Sequence, residues 1–253
     1  MDFKALHQQQ KPLLIGNVWD VNSTKVFEKL NFSAIATSSA AVAHILGYED
    51  GEQLGFSELE YIVKRIISNT SLPVSVDIES GYGRDVSNVL ENIERLFKLG
   101  VAGLNIEDSI MNNGRKLVAA DEFAAKLKTI KSHLVKKEIN MFLNIRTDTF
   151  IIGVPDLLNE TKKRTKLYED AGADGIFVPC IVNEDDISEI VKTTKLPVNV
   201  MCMPKLPDFK TLETLGVKRI SMGNFLHDTI YREMEKITAK IIEQQSFKSL
   251  FLG

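Results

Sequence analysis

Scarcity sets the first limits on this chain. Its 253 residues include only two cysteines, Cys180 and Cys202, which excludes a disulfide framework. Both sit in apolar, strand-like surroundings, so a reducing compartment is expected, and the cytoplasm is the location inferred. No apolar run approaches the ~20 residues needed to span a bilayer, and the opening MDFKALHQQQKP lacks the apolar centre of a signal segment. No membrane association is therefore expected. With a net charge of only -3, the chain exerts no long-range attraction on polyanions, so nucleic acid is not an expected partner. Histidine is scarce too, at four residues. His7 and His133 fall in solvated segments, His227 in the last helix and His44 in an Ala-rich helix, so no His-based nucleophilic triad is assembled. The Gly81–Gly83 stretch GYG lacks the length and the Lys-Ser/Thr ending of a phosphate loop.

What remains is an ordinary globular composition, 44% apolar and 26% charged, and a regular pattern. β-type runs alternate with longer amphipathic ones from end to end without a linker, which reads as one domain over residues 1–253 made of βα units. Strands are predicted at Leu13–Asn17, Ala34–Ser38, Val74–Ile78, Gly103–Glu107, Met141–Arg146, Gly175–Pro179, Val198–Met201 and Arg219–Gly223. Helices are predicted at Asn22–Leu30, Ser57–Thr70, Ser87–Leu99, Ala120–Lys137, Leu158–Ala171, Glu184–Thr193, Asp208–Leu215 and Phe225–Gln245. Three helices stop at a glycine followed directly by a strand, in LKLGVAG, DAGADG and TLGVKR. Eight such units predict a closed (β/α)8 TIM-type barrel, with functional groups at the C-terminal ends of the strands.

The polar residues fall at those ends. VSVDIESGYG places Asp77 and Glu79 at the mouth of the third strand, and GLNIEDS places Glu107 and Asp108 at the mouth of the fourth. Parallel neighbouring strands would bring these acids to one sector of the rim, where they repel unless a cation neutralises them. Magnesium suits such a set, since it takes oxygen ligands and keeps several waters. The bland alternative is helix capping, or surface pairing with Arg84 and Arg115. Arg146, in FLNIRTDTF, lies where an apolar strand would otherwise continue. It requires either an anionic ligand, such as a carboxylate or phosphonate, or a salt bridge to Asp148 or a rim acid. Thr37, Ser38 and Ser39 can hold a carboxylate or simply cap the following helix.

In order and spacing, NVWDVNST, ATSSAAVAHILGYED, VSVDIESGYG, GLNIEDS and NIRTDTF resemble the phosphoenolpyruvate mutase/isocitrate lyase superfamily over most of the chain. The resemblance implies a barrel whose last helix is exchanged between subunits of a homodimer or homotetramer, a role that fits the apolar tail FKSLFLG. It implies Mg²⁺ and a small 2-oxo carboxylate or phosphonate substrate, with C–C or P–C bond chemistry through a metal-stabilised pyruvate enolate. By position it makes Asp77 the direct metal ligand, with Glu79, Glu107 and Asp50 holding metal-bound waters. It gives Trp19, Ser38 and Ser39 to the oxo-acid carboxylate, Arg146 to the far end of the substrate and Asn199 to the substrate site. Asp50, Ser38 and Arg146 are thereby the expected catalytic group.

The chain departs from the superfamily after the fourth strand. It reads IEDSIMNNGRKLV, without the Lys-x-Cys-Gly-His loop of the lyases, which argues against isocitrate or methylisocitrate cleavage. Only Arg115 or Lys116 can replace the loop lysine of the mutases, and Glu79 stands where an aspartate is usual. Oxaloacetate decarboxylation or hydrolysis needs the least additional equipment and is slightly favoured over phosphonopyruvate chemistry. A non-catalytic binder of 2-oxo acids on the same fold is the alternative.

Overall fold

In the computed structural model, which describes residues 2–83 and 85–251, the chain forms a closed barrel of eight parallel strands. Ten strands occur in chain order: β1 (Leu13–Val18), β2 (Ile35–Thr37), β3 (Val74–Asp77), β4 (Gly103–Glu107), β5 (Ser109–Met111), β6 (Arg115–Leu117), β7 (Phe142–Arg146), β8 (Gly175–Phe177), β9 (Val198–Met201) and β10 (Arg219–Ser221). The barrel runs β1-β2-β3-β4-β7-β8-β9-β10 and closes back on β1, while β5 and β6 form a separate antiparallel hairpin. The helices are α1 (Phe3–Leu6), α2 (Val21–Lys29), α3 (Ser39–Ile45), α4 (Phe56–Ile67), α5 (Val86–Leu99), α6 (Ala120–Lys136), α7 (Thr149–Ile152), α8 (Leu157–Asp170), α9 (Glu184–Thr193), α10 (Phe209–Leu215) and α11 (Phe225–Gln244).

The expected eight-stranded barrel is present, and β4, β9 and α9 have the expected bounds. The β5–β6 hairpin was not expected. Asn112 N–H bonds to Gly114 C=O at 2.9 Å, and Asn113 and Gly114 take positive φ, so Asn-Asn-Gly turns the chain from β5 into β6. His7 also departs from expectation. It is buried, stacks on Phe142 with ring centroids 4.1 Å apart, and donates from Nδ1 to Phe3 C=O at 2.9 Å. Burial holds its pKa down at about 3.

Strand alternation explains why two adjacent acids behave differently. Glu107 closes β4 among the charged groups at the barrel mouth. Asp108, fully buried, is tied instead to the helix layer. It accepts hydrogen bonds from Thr147 Oγ1 (2.8 Å), Asp148 N (2.9 Å), Arg164 Nη1 (2.9 Å) and Tyr168 OH (2.7 Å). Asp108→Ala would strip the buried Arg164 of one of its two carboxylate partners, leaving Glu160 alone, and would orphan the Thr147, Asp148 and Tyr168 donors; it is expected to cost ~3–5 kcal/mol in urea unfolding. A loss below ~1 kcal/mol would show that this network does not hold α8 to the barrel.

The start of α11 is seated on the barrel through His227, but further along Ile230, Tyr231, Met234 and Ile242 are exposed, as are Phe247, Leu250 and Phe251 beyond it. Among the described residues no helix is long and apolar enough to cross a membrane.

Candidate active site

A cavity of about 280 Å³ opens at the C-terminal mouth of the barrel. Its charged walls are Asp50, Asp77, Arg115 and Arg146, and its polar walls include Ser38, Ser39, Asn105 and Ser221. Ile151, Phe177, Pro179 and Met201 supply apolar surface. This is a small, strongly polar space, suited to a ligand of a few heavy atoms with more than one charge.

Asp77 ends β3. Its carboxylate accepts from Ser39 Oγ at 3.3 Å and from Glu79 N–H at 3.1 Å, and its own N–H donates to Thr37 Oγ1 at 2.9 Å. Ser39 is therefore a support for Asp77, and Ser38 Oγ caps α3 by accepting from Ala41 N–H at 3.4 Å. Burial pushes the Asp77 carboxyl above its ordinary range, against the pull of the Arg146 charge.

Glu79 sits two residues further on in a left-handed conformation, φ 49°, which costs a non-glycine residue roughly 1 kcal/mol or more. Its oxygens accept from Tyr82 OH (2.7 Å) and Glu52 N–H (2.8 Å), fastening the loop after Asp50 to the end of β3. Burial, with the charges of Asp50, Asp77 and Glu52 adding to it, raises its pKa to about 7.

A carboxyl raised in this way stabilises the fold in its protonated form. That contribution is full below about 4.5, the ordinary value, and is lost as pH rises through 7. In EDTA, the stability of the wild type relative to Glu79→Gln is expected to fall by up to ~3 kcal/mol between pH 4.5 and 8. Taking the difference removes His7, which titrates with the opposite sign. Parallel curves in denaturant titrations would show that Glu79 ionises normally.

Glu107 and Arg146 face each other as register partners on β4 and β7. Arg146 Nε lies 2.6 Å from Asp148 Oδ1, and Nη1 lies 3.0 Å from Glu107 Oε2. The Glu107 contact is close enough for charge pairing but off the hydrogen-bond axis, and Oε2 is left buried without a hydrogen-bond partner. The β5–β6 hairpin brings Arg115 back to the same place. Its Nη1 pairs with Glu107 Oε1 and with Asp148 Oδ2 at 2.9 Å, and its Nη2 reaches Asp50 Oδ2 at 3.3 Å. Burial pushes Glu107 up, opposed by Arg146. Asp148 is also penalised by burial, but Arg146 and its hydrogen bonds hold it below the ordinary carboxylate range.

Asp50, Ser38, Ser39, Asp77 and Arg146 thus line one cavity, as expected from the sequence. Two expected substrate contacts do not line it. Trp19 lies outside, edge-on to His227 at 5.1 Å, in a groove with Leu226, Ile230 and Met234. Asn199 is held inside the barrel, bonded to Asn144 Nδ2 (3.0 Å) and Ser221 Oγ (3.1 Å). Neither side chain is therefore among the walls of the cavity, where a substrate contact was expected. The capping alternative fails for Asp77, Glu79 and Glu107, none of which caps a helix. The proposed pairing with Arg84 lies outside the described residues. Arg115 and Asp148 are the important members that the sequence left in secondary roles. The Asn-Asn-Gly turn was the available signal for the first, and the charge two residues beyond Arg146 for the second.

Asp77, Glu79 and Glu107 do not bring three carboxylate oxygens within 4.8 Å of one another, so they are not a compact chelate for a bare ion. A magnesium ion that keeps several waters fits better, because it needs only one or two direct carboxylates. Charge supports it: among the described residues, the five carboxylates Asp50, Asp77, Glu79, Glu107 and Asp148 meet two guanidinium groups in contact, Arg115 and Arg146, with buried Arg219 acting on Asp77 from further away. Asp50 Oδ1 is buried without a hydrogen-bond partner.

The model of the phosphoenolpyruvate phosphomutase family matches residues 3–242. The chain belongs to this family. An oxaloacetate decarboxylase of Ectopseudomonas mendocina is 30% identical over 230 residues, covering 88% of this chain and 77% of that protein. A solved structure from Burkholderia cenocepacia, described provisionally as a phosphonomutase, superposes with a TM-score of 0.88 at 35% identity, covering 94% of this chain and 97% of the other. A phosphonopyruvate hydrolase crystallised with oxalate and Mg²⁺ shares the fold, with a TM-score of 0.85 at 21% identity over 97% of this chain and 87% of the other. By its family and its decarboxylase relative the chain is an enzyme of the lyase and phosphonomutase kind.

Proposed function

We propose that this chain is a Mg²⁺-dependent enzyme that breaks or rearranges the C–C or C–P bond beside the carbonyl of a small 2-oxo acid, with oxaloacetate decarboxylation or hydrolysis favoured. The observation that carries this reading is the pairing, across one small cavity, of the carboxylates Asp50 and Asp77 with the guanidinium of Arg146. One side is built for a hard cation and the other for an anionic substrate end. The oxaloacetate decarboxylase relative and the hydrolase structure with oxalate and Mg²⁺ point the same way.

Asp77 is the direct ligand in this reading, with Asp50, Glu79 and Glu107 holding the waters of the ion. Bound Mg²⁺ supplies positive charge beside the carbonyl oxygen as it takes up the electron pair of the breaking bond. Arg146 orients the far carboxylate or phosphonate through its remaining donors, and its bonds to Asp148 keep the guanidinium from swinging. Ser38 presents its hydroxyl to the 2-oxo acid carboxylate. Ile151, Phe177 and Met201 exclude water from the carbon that gains charge. The exposed apolar surface of α11 supports a homodimer or homotetramer, which a solution mass would test.

A panel of 2-oxo acids should distinguish the chemistries. Oxaloacetate is expected to turn over with release of pyruvate or oxalate, and EDTA to reduce the rate by at least ~100-fold. Binding of oxalate without turnover of oxaloacetate, phosphonopyruvate or related acids would instead make the chain a binder.

A further inference from the structure

A second cluster of ligating side chains lies beside the cavity, where the last turn of α3 meets the first turn of α11. His44, His227 and Asp228 each offer one ligand atom there, all within 4.8 Å of one another. His227 is the fixed member. It is 5% exposed, edge-on to Trp19 at 5.1 Å and tilted against Tyr231 at 4.6 Å. Its Nδ1 lies 2.9 Å from Asp228 Oδ1, and its Nε2 is buried with no hydrogen-bond partner. The His44 ring stands 5.9 Å away on the exposed side.

We propose that His44, His227 and Asp228 form a site for a transition-metal ion of the zinc class, separate from the oxygen-lined magnesium site.

An imidazole presents its two nitrogens on opposite edges, so an ion shared with Asp228 sits on the Nδ1 edge of His227, where Asp228 Oδ1 lies 2.9 Å away, and replaces the proton between them. Coordination satisfies imidazole nitrogen, and two imidazoles with one carboxylate prefer zinc, cobalt or nickel to magnesium. Three protein ligands leave a position for water. The ligand atoms of a tetrahedral zinc lie about 3.3 Å apart, so the cluster must tighten, and exposed His44 is the side chain able to swing inward. Its exposure also gives the ion a path in.

The site would tie α11 to the barrel next to the substrate cavity. Asn224, a cavity residue, donates to Asp228 Oδ2 at 2.7 Å, and α3 begins at Ser39, which supports Asp77.

The full chain, saturated with millimolar Mg²⁺ to fill the oxygen site, would be titrated with Co²⁺ and read by its visible ligand-field bands, with Zn²⁺ as competitor. The expected result is one equivalent of Co²⁺ displaced by Zn²⁺, bound at least tenfold more weakly by His44→Ala and undiminished in Asp77→Asn. Because His44 is exposed, its substitution leaves the fold intact, which the far-UV spectrum checks. Absence of Co²⁺ binding in Mg²⁺, equal binding by His44→Ala, or loss of binding in Asp77→Asn would each overturn the proposal.

Discussion

Asp77→Asn is expected to abolish the stabilisation that Mg²⁺ gives the wild type, and to lower turnover by at least ~1,000-fold, while the barrel remains folded. The asparagine keeps the size of the side chain and one oxygen for the Glu79 N–H, and its NH2 group falls where the Ser39 hydroxyl can turn to accept. It removes only the charge. Among the described residues no cationic side chain lies within ion-pairing distance of Asp77, and burial already disfavours its ionised form. In EDTA the variant should therefore be as stable as the wild type or more so, by ~1–3 kcal/mol. A ligand at 100 times its dissociation constant stabilises a fold by about 2.7 kcal/mol. Thermal melts with Mg²⁺ and with EDTA would separate the two effects. If Mg²⁺ raised the melting temperature of Asp77→Asn as much as that of the wild type, Asp77 would not be the ligand.

The barrel was legible because its signal is repeated and local. Most barrel strands end at a polar residue, as at Thr37, Asp77, Glu107, Arg146 and Ser221, and glycine stops such as Gly100 and Gly216, both at positive φ, mark where a helix gives way to a strand. The acids of the site were legible for the same reason, since Asp77 and Glu107 end their own strands. What the sequence concealed is lateral. Arg115 meets Glu107, Asp148 and Asp50 only because a three-residue turn folds it back, and Asp50 lies in a loop well removed along the chain. Trp19 and Asn199 show the converse. Trp19 directly follows β1 yet turns outward to His227, whereas Asn199 is only the second residue of β9 and lies below the mouth, bonded to Asn144 and Ser221. The end of a strand fixes height on the barrel, not which way the side chain turns.

Arg146→Met is expected to destabilise the fold heavily and to separate substrate binding from metal binding. Its guanidinium meets two buried carboxylates, Asp148 through Nε and Nη2 and Glu107 through Nη1, and Arg115 alone would then face both. Removing one partner from a buried ion network typically costs 3–5 kcal/mol, so a loss of about that size is expected in urea unfolding. Metal binding should respond in the opposite direction. Taking a positive charge from beside Asp77 removes a repulsion, so Mg²⁺ affinity should be unchanged or higher, while affinity for an oxo acid such as oxalate should fall at least ~10-fold. Calorimetry on the folded variant would measure both. Equal losses of metal and oxo acid would make Arg146 a structural salt bridge. A second substitution, Glu107→Gln, removes the charge that Arg146→Met leaves behind. The double variant should therefore regain ~1–3 kcal/mol of the lost stability, and strict additivity of the two losses would show that Glu107 and Arg146 do not act as a pair.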